Sequence, residues 1–378
     1  MKKVLIVFGT RPEAIKMAPL VKAFLAQKDF FETKVCITAQ HREMLDQVMD
    51  IFDIKADYDL DIMKPDQDLY EVSANILLAI KPVIKEFDPD IVFVHGDTST
   101  TFITSLAAFY QKKKVAHIEA GLRTGNIYAP WPEEMNRRLT SAITHFHFAP
   151  TEMARQNLLE ENIPEDKITV TGNTVIDALH IVIDRINKDE NLRKATDEKL
   201  CKAGIKLDSE KPFILVTGHR RENFGQGFID ICTSIKRLAE KYPDFDIVYP
   251  VHLNPNVQKP VYELLDGLSN VFLISPLEYL PFVHLMSKSH IILTDSGGVQ
   301  EEGPSLGKPI LVMRETTERP EAVDAGTVRL VGTDVEKIVN GISELIENKE
   351  EYEKMSRAHN PYGDGKASHR VIEFLKQH

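Results

Sequence analysis

Short apolar segments alternate with longer stretches of helical periodicity along this chain. Most of the short segments are apolar throughout, which is typical of parallel strands buried on both faces. We predict strands over residues 4–8, 34–38, 91–95, 115–119, 145–149, 168–171, 213–217, 246–250, 271–274, 291–294, 310–313 and 328–331. We predict amphipathic helices over residues 14–27, 42–52, 69–87, 100–111, 132–142, 151–160, 226–241, 335–348 and 366–377. This alternation indicates an α/β architecture with parallel sheets.

The second half of the chain restarts like the first. Residues 4–13 and 213–222 each read as a buried strand, a glycine and a basic loop that leads into a helix. Residues 177–211 are rich in Asp, Lys, Glu and Asn, so we interpret them as a helix followed by an exposed linker between two domains. We expect two similar α/β domains facing each other across a cleft, and the turn-rich segment 360–365 returns the chain to the first. The expected domains are residues 1–175, joined by a C-terminal helix at 366–378, and residues 176–365.

Composition narrows the class of protein. The chain has 378 residues and a formal net charge of −11, enough length for two domains that each bury a core. The acidic balance argues against a nucleic-acid partner, which would usually meet a basic stripe. Three scattered cysteines (Cys36, Cys201 and Cys232) form no disulfide framework, and no apolar run reaches the roughly 18–20 residues that span a bilayer. We therefore expect a soluble, cytoplasmic protein with no membrane partner.

Charged and small residues follow several predicted strands at the point where each strand ends. Ligands of open α/β sheets bind beyond the carboxyl ends of the strands, so these segments form the candidate site. They are residues 9–13, 95–98, 119–123, 218–222 and 295–302.

Two of these segments suit a phosphate group. The glycines Gly297 and Gly298 lie at a helix start, where free N–H groups and the helix dipole favour an anion. The alternative is a simple N-cap made by Asp295 or Ser296. Arg11 offers a planar fork for phosphate, with Lys16 one turn further along. Pro12 and Glu13 fit an alternative role as helix-start stabilisers, which leaves Arg11 unexplained.

Carboxylates and a histidine are the remaining candidates. Asp97 and Glu119 end two strands and Glu133 begins a helix, so together they could provide acid/base or cation-stabilising chemistry. For each one alone, helix capping is the alternative. His219 is a candidate general acid or diphosphate contact, or else an ordinary polar loop residue. His145 and His147 lack a third ligand, so we expect no metal.

Three common nucleotide and hydrolase signatures are absent from the sequence. No Gly-x-Gly-x-x-Gly follows a predicted strand, and neither a Walker A nor a nucleophile-elbow pattern occurs. The absence of these signatures argues against a nicotinamide dehydrogenase, a kinase or a serine hydrolase.

The strand-end segments resemble those of the non-hydrolysing UDP-N-acetylglucosamine 2-epimerases. Ten ordered motifs carry the resemblance across nearly the whole chain: residues 9–19, 38–42, 95–98, 117–123, 130–137, 218–223, 249–255, 295–302, 317–321 and 360–365. The resemblance implies a glycosyltransferase-B-like fold, with two Rossmann-like domains facing a central cleft and the second domain binding UDP. It implies a homodimer without cofactor or metal.

The same resemblance implies a reaction. UDP-N-acetylglucosamine (UDP-GlcNAc) and UDP-N-acetylmannosamine (UDP-ManNAc) would interconvert by elimination of UDP to 2-acetamidoglucal and re-addition, which would supply ManNAc for bacterial cell-surface polysaccharide. A hydrolysing epimerase, a retaining glycosyltransferase of the same fold and a non-catalytic nucleotide-sugar sensor are the alternatives.

Residue roles follow from the matching motifs. The implied catalytic residues are Asp97, Glu119, Glu133 and His219. The implied substrate-binding residues are Arg11, Lys16, Asp97, Glu119, His219, Leu277, Phe282, Ser296, Gly297, Gly298, Glu302 and Arg319. An implied regulatory UDP-GlcNAc site comprises Gln40, Glu43, Gln67, Glu134, Arg220 and His252. Some relatives carry Gln where this chain has Glu43 or Leu277.

Overall fold

The computed structural model describes residues 1–39, 42–64, 67–205 and 211–378. Its strands are Lys2–Phe8 (β1), Phe31–Ile37 (β2), Tyr58–Asp59 (β3), Ile91–His95 (β4), Lys114–Ile118 (β5), Phe146–Ala149 (β6), Ile168–Val170 (β7), Phe213–Thr217 (β8), Asp246–Pro250 (β9), Val271–Ile274 (β10), Ile291–Thr294 (β11), Ile310–Val312 (β12) and Val328–Leu330 (β13). Its α-helices are Arg11–Leu25 (α1), Arg42–Phe52 (α2), Leu69–Phe87 (α3), Ser99–Tyr110 (α4), Glu133–Ile143 (α5), Glu152–Glu160 (α6), Thr174–Lys188 (α7), Glu190–Lys202 (α8), Gln226–Lys241 (α9), Pro255–Leu265 (α10), Tyr279–Lys288 (α11), Gly297–Ser305 (α12), Pro320–Asp324 (α13), Val335–Glu347 (α14), Lys349–Ser356 (α15) and Ala367–Gln377 (α16). None of the described helices is both long and apolar enough to cross a bilayer.

The first compact unit comprises Met1–His180 and Tyr362–His378. Its seven strands form one parallel sheet in the order β3-β2-β1-β4-β5-β6-β7. The chain starts at the centre, winds outward to β3, and returns to the centre at β4, which is the strand order of a Rossmann sheet. Central residues such as Leu5 and Val92 are fully buried, because helices cover both faces of the sheet.

The second unit, Ile181–Pro361, repeats this design. Its six parallel strands follow the order β10-β9-β8-β11-β12-β13, so that β8 and β11 occupy the central positions that β1 and β4 occupy in the first sheet. The main core of this unit includes fully buried Phe228 and Tyr249. The predicted α/β class with two Rossmann-like units is confirmed.

The expected linker was wrong in part. Within residues 177–211, α8 is a second helix that packs on α11, buries Leu200, and places Asp197 2.9 Å from Nε2 of His284. Only a narrow stripe of α8 is buried, so its otherwise polar sequence resembled a linker. The division between the units falls after His180, within α7, five residues beyond the predicted boundary after residue 175.

The last helix belongs to the first unit. α16 packs on α1, and the ring of Phe374 meets Phe148 edge-on with centroids 5.3 Å apart. The buried carboxylate of Asp177 accepts the N–H groups of Ala367 at 3.1 Å and Ser368 at 2.8 Å, which caps the start of α16. Burial raises the pKa of Asp177 above its ordinary value, although these hydrogen bonds oppose the shift.

A close approach of two backbones makes Gly121 hard to replace. Gly121 has φ +93°, and a Cβ there would lie 2.1 Å from the carbonyl oxygen of Ala154, whereas Gly204 has φ +98° and open space around it. We expect Gly204→Ala to lose about 1–2 kcal/mol from backbone strain alone. Gly121→Ala should lose about 3 kcal/mol or more, because the collision adds to the strain. Urea unfolding of both variants measures the difference; equal losses would mean that the collision at Gly121 costs nothing.

Candidate active site

The candidate residues lie where the strand order of each sheet reverses. In the first unit this point is between β1 and β4, and in the second it is between β8 and β11. Ligands of such sheets bind outside the carboxyl ends of these strands. The predicted residues that follow those strands, or the neighbouring β5, are Arg11, Asp97, Glu119, His219, Ser296, Gly297 and Gly298.

Glu119 is the most constrained side chain of the first unit. It is 8% exposed, and its backbone adopts φ +62°, a left-handed conformation that is uncommon for a residue with a side chain. The Lys16 ammonium lies 2.7 Å from both carboxylate oxygens, and Nε2 of His95 lies 2.6 Å from Oε2. Burial alone would raise the pKa of Glu119, but Lys16 and His95 outweigh it and hold this pKa well below its ordinary value. Glu119 is therefore an ionised carboxylate with fixed partners.

Asp97 is held by residues of α5. Its Oδ2 accepts hydrogen bonds from Nε of Arg137 at 2.9 Å and Nη2 at 2.6 Å, and its backbone carbonyl accepts one from Asn136 at 2.9 Å. The cap of α4 is instead Thr98, whose hydroxyl accepts the N–H of Thr101. The helix-capping alternative for Asp97 was therefore wrong.

The two glutamates at the start of α5 differ in their surroundings. Glu134 is fully buried, accepts the N–H groups of Thr124 and Gly125, and pairs with Arg137. It therefore anchors the loop before the helix. Glu133 is half-buried, and within the part of the chain that the structure describes it has neither a hydrogen bond nor an ion pair.

Glu13 joins two strand-end loops. Its Oε2 accepts the N–H groups of Gly9 and Thr10, and its Oε1 accepts the hydroxyl of Thr98 at 2.7 Å. The stabilising role proposed for Glu13 is therefore correct. The neighbouring Arg11 is half-buried and makes no hydrogen bond or ion pair with the described residues, so its guanidinium has no structural role of this kind.

His117 fixes the loop that carries Asp97. Its Nε2 lies 2.7 Å from the carbonyl oxygen of Gly96, and burial lowers the pKa of His117 to about 3, so the ring stays neutral and donates this hydrogen bond. We did not predict His95, His117 or Arg137 as site residues. The signal was present, because all three belong to motifs of the family resemblance.

Asp295 lies at the centre of the second unit's site. This fully buried carboxylate accepts the N–H groups of His219 at 2.9 Å and Arg220 at 2.8 Å through Oδ2, and its Oδ1 lies 3.2 Å from Nδ1 of His219. The His219 ring is 43% exposed and stacks on the ring of His252 with centroids 5.7 Å apart. Ser296 is the N-cap residue of α12, but its side chain makes no capping hydrogen bond. The alternative that reduced this segment to an N-cap was therefore wrong, and the first N–H groups of α12 have no side-chain cap.

Gly297 permits a cation to approach the start of α12. A Cβ at this residue would lie 2.5 Å from Nη1 of Arg319, whose Nε donates to Glu301 at 2.7 Å. Glu302 is buried and accepts the hydroxyl of Tyr279 at 3.2 Å. Glu301 and Glu302 both lie beyond the first turn of α12, so neither carboxylate complements the positive end of the helix dipole.

Other predicted residues are placed as follows. Phe282 lies on α11 and Leu277 precedes that helix, both half-buried. Of the predicted regulatory residues, Gln67 accepts the N–H of Lys64 at 2.9 Å. Gln40 lies outside the described residues, as does the side chain of Glu43.

No metal centre emerges from the described part of the chain. There, no group of three or more His, Cys, Asp or Glu side chains is arranged to hold an ion. His147 is buried on β6, whereas His145 precedes the strand and is exposed.

The fold and the site together define the class of protein. Two Rossmann-like units in one chain are the design of glycosyltransferase-B-like proteins, and a helix start without a side-chain cap, as in the second unit, suits an anionic group.

Comparisons with known proteins identify the family. A family model described as UDP-N-acetylglucosamine 2-epimerase matches residues 23–376. The Escherichia coli K12 protein of that name is 60% identical over 374 residues, covering 99% of this chain and 98% of that protein. A crystal structure of the Neisseria meningitidis UDP-GlcNAc 2-epimerase bound to UDP-GlcNAc is 58% identical and covers 100% of both chains, with a TM-score of 0.89. The Methanocaldococcus jannaschii enzyme in complex with UDP-GlcNAc and UDP is 33% identical, covers 100% of both chains and gives a TM-score of 0.79.

This chain belongs to the UDP-N-acetylglucosamine 2-epimerase family, whose members are isomerases. The family resemblance stated from the sequence motifs is therefore confirmed.

The buried histidines should make the fold sensitive to acid. Burial lowers the pKa of His117 from 6.5 to about 3 and that of His147 from 6.5 to about 4. Below pH 6.5 these two histidines bind protons in the unfolded chain but stay neutral in the folded chain. Each histidine then lowers the free energy of unfolding by about 1.4 kcal/mol per pH unit, until the pH reaches its folded pKa. Urea unfolding between pH 7.5 and 5 should show this slope. His147→Phe should reduce the slope by about 1.4 kcal/mol per pH unit, the contribution of one proton. An unchanged slope would contradict the lowered pKa of His147.

Proposed function

We propose that this protein catalyses the reversible epimerisation of UDP-GlcNAc to UDP-ManNAc at C2, without cofactor or metal. The observation that carries the proposal is the pair of carboxylates at the edge of the first sheet, Glu119 and Asp97, which are held by Lys16 and Arg137. Family membership and the ligand of a relative support the substrate, because the Neisseria meningitidis enzyme binds UDP-GlcNAc.

The chemistry explains why anions are needed. The C2–H of a sugar is not acidic, because no carbonyl stands beside it, so a carboxylate base alone would face a prohibitive barrier. When the anomeric C–O bond breaks first, positive charge develops on the ring and the C2 proton becomes acidic. Elimination of UDP then gives 2-acetamidoglucal, and re-addition of UDP at C1 with a proton delivered to the opposite face of C2 completes epimerisation. The protein must therefore stabilise a cation beside C1 and an anionic leaving group, a preorganised electrostatic task.

We assign the sugar-facing roles to residues of the first unit. Lys16 holds Glu119 in its ionised form and Arg137 pairs with Asp97, so both carboxylates are assigned to stabilise the developing oxocarbenium. Glu133 has no partner among the described residues, so its carboxyl group is available for proton transfer. Two faces of C2 must be served, which requires two acid/base groups; these three carboxylates supply them.

We assign the nucleotide-facing roles mainly to the second unit. Uncapped N–H groups at Gly297 and Gly298, with Ser296 and His219, would hold the diphosphate. We assign the ribose hydroxyls to Glu302, and the uracil to Phe282 and the backbone of Leu277. Cationic contacts to the nucleotide-sugar come from Arg11, Lys16 and Arg319.

Regulation and cellular role complete the proposal. We propose a second UDP-GlcNAc site built from Gln40, Glu43, Gln67, Glu134, Arg220 and His252. His252 stacks on His219, a contact through which an occupied second site would reach a catalytic side chain. The product would supply ManNAc for bacterial cell-surface polysaccharide from the cytoplasm.

Incubation with UDP-GlcNAc in D₂O tests the reaction. We expect UDP-ManNAc to form without added cofactor, and solvent deuterium to enter at C2, because the proton at that carbon is exchanged. NMR of the products measures both. Retained protium at C2 would exclude this mechanism. Free ManNAc with UDP would indicate a hydrolysing epimerase, dependence on an acceptor would indicate a glycosyltransferase, and unchanged substrate would indicate a sensor.

Three substitutions test the residues. Asp97→Asn, Glu119→Gln and His219→Asn should each reduce kcat by about 10²–10⁴-fold, the usual contribution of an acid/base or charge-stabilising group. Glu152→Gln is the matched control, since this carboxylate is 71% exposed on α6 and, among the described residues, pairs with Arg155 alone. Circular dichroism confirms folding. Full activity in all three variants would refute the assigned site.

We also propose that the protein is a homodimer joined through the first unit. The adjacent helices α3 and α4 expose large apolar side chains: Leu69, Tyr70, Leu78, Phe109 and Tyr110. Such an exposed apolar surface is typical of a protein interface.

Light scattering tests the dimer. We expect twice the 42.8 kDa chain mass for the wild type, and a single chain mass for Leu78→Asp, which places a charge in the interface. Leu253→Asp is the control, because Leu253 is equally exposed, 67% against 69%, but belongs to the second unit. A monomeric wild type would refute the proposal.

A further inference from the structure

Asp295 is a buried carboxylate to which the proposed reaction assigns no role. It follows β11, is fully buried, and directs both oxygens at the loop after β8. Oδ2 accepts two main-chain N–H groups, of His219 and Arg220, and also approaches the side-chain amide of Asn223 at 3.3 Å. These bonds anchor the loop.

The second oxygen serves a different partner. Oδ1 lies within ion-pair distance of the His219 ring, 3.2 Å from Nδ1, and no described residue gives it a well-aligned hydrogen bond. A carboxylate oxygen only accepts, so Nδ1 must carry a proton when it faces Asp295. The other ring nitrogen, Nε2, then points away from Asp295 on a ring that is 43% exposed.

Asp295 is ionised. Burial alone would raise its pKa, but the hydrogen bond from the His219 ring and those from the two main-chain N–H groups outweigh burial, and the pKa of Asp295 lies below its ordinary value. An ionised carboxylate at Nδ1 stabilises the doubly protonated form of an imidazole. The stacked ring of His252, with an interplanar angle of 27°, restrains the His219 ring on its face.

We propose that Asp295 is the positioning residue of His219: it fixes the tautomer with Nδ1–H inward and holds Nε2 toward the leaving diphosphate. This inference rests on the proposed epimerase function. As the C1–O bond breaks, its electron pair passes to the diphosphate oxygen, and Nε2–H of the imidazolium gives that oxygen its proton. His219 is left neutral, with Nδ1–H still on Asp295. On re-addition the oxygen forms the new C1–O bond and its proton returns to Nε2.

The competing explanation is that Asp295 only anchors the loop. The Asp295→Asn substitution distinguishes this explanation from the proposed positioning role. In Asp295→Asn, the amide oxygen can take the place of Oδ2 and keep both main-chain hydrogen bonds. Its NH₂ group then replaces Oδ1, where it donates and forces Nδ1 to become an acceptor. The variant therefore inverts the tautomer while the anchor stays.

The experiment is a double-mutant cycle of Asp295→Asn and His219→Asn, assayed for UDP-GlcNAc epimerisation. We expect Asp295→Asn to lose kcat by about 10²–10⁴-fold, with KM within about threefold of wild type, since a wrong tautomer harms the reaction more than binding. The double variant should be no slower than His219→Asn alone, because Asp295 acts only through that ring.

The outcomes are distinguishable. Wild-type kcat in Asp295→Asn, or a double variant whose losses multiply, would overturn the inference and leave Asp295 as an anchor. An inactive wild type would instead refute the proposed function. If Asp295→Asn does not fold, ¹⁵N spectra of histidine-labelled wild type replace it, with His219→Asn identifying the signals. Neutral His219 should carry its proton on Nδ1, and a proton on Nε2 would overturn the inference.

Discussion

The burial of carboxylates beside fixed cations is the constraint on which the rest of the structure depends. An unpaired carboxylate at the depth of Glu119 would take up a proton rather than remain charged. Lys16 and His95 prevent this, and Arg137 forms an ion pair with the more exposed Asp97. Each partner comes from another element: Lys16 from α1, His95 from β4 and Arg137 from α5. These elements therefore have to assemble at the edge of the sheet before a buried carboxylate such as Glu119 can remain ionised.

The two units share one sheet topology but carry different chemical groups at the edge of the sheet. Both wind outward from a central strand and reverse beside it, so both place strand ends at an open edge of the sheet. The first edge carries ionised carboxylates held by cations. The second carries a helix start without a side-chain cap and a histidine backed by a buried carboxylate. A common backbone thus presents groups that would stabilise a cation in one unit and an anion in the other.

Much of this fold could be predicted from sequence because strands buried on both faces are apolar throughout. Every predicted strand is present, whereas β3 escaped prediction because its two residues at the sheet edge carry no pattern. The helices α8, α10, α11, α13 and α15 were not among the predicted ones, and α8 escaped because most of its surface is polar. The strand-end rule found Asp97, Glu119 and His219, but it could not find their partners. Lys16 lies 103 residues from Glu119, and Arg137 lies 40 residues from Asp97. A pattern of neighbouring residues therefore cannot predict either ion pair.

The cap that Asp177 provides for α16 has a consequence for how the protein is made. Residues 362–378 leave the ribosome only after the whole second unit has been synthesised, yet they cover Phe148 and α1 in the first unit. During synthesis, the first sheet must therefore wait with part of its apolar surface open to water, in the interval when nascent chains are most prone to aggregate. The early-made half of this protein is completed by its latest-made helix.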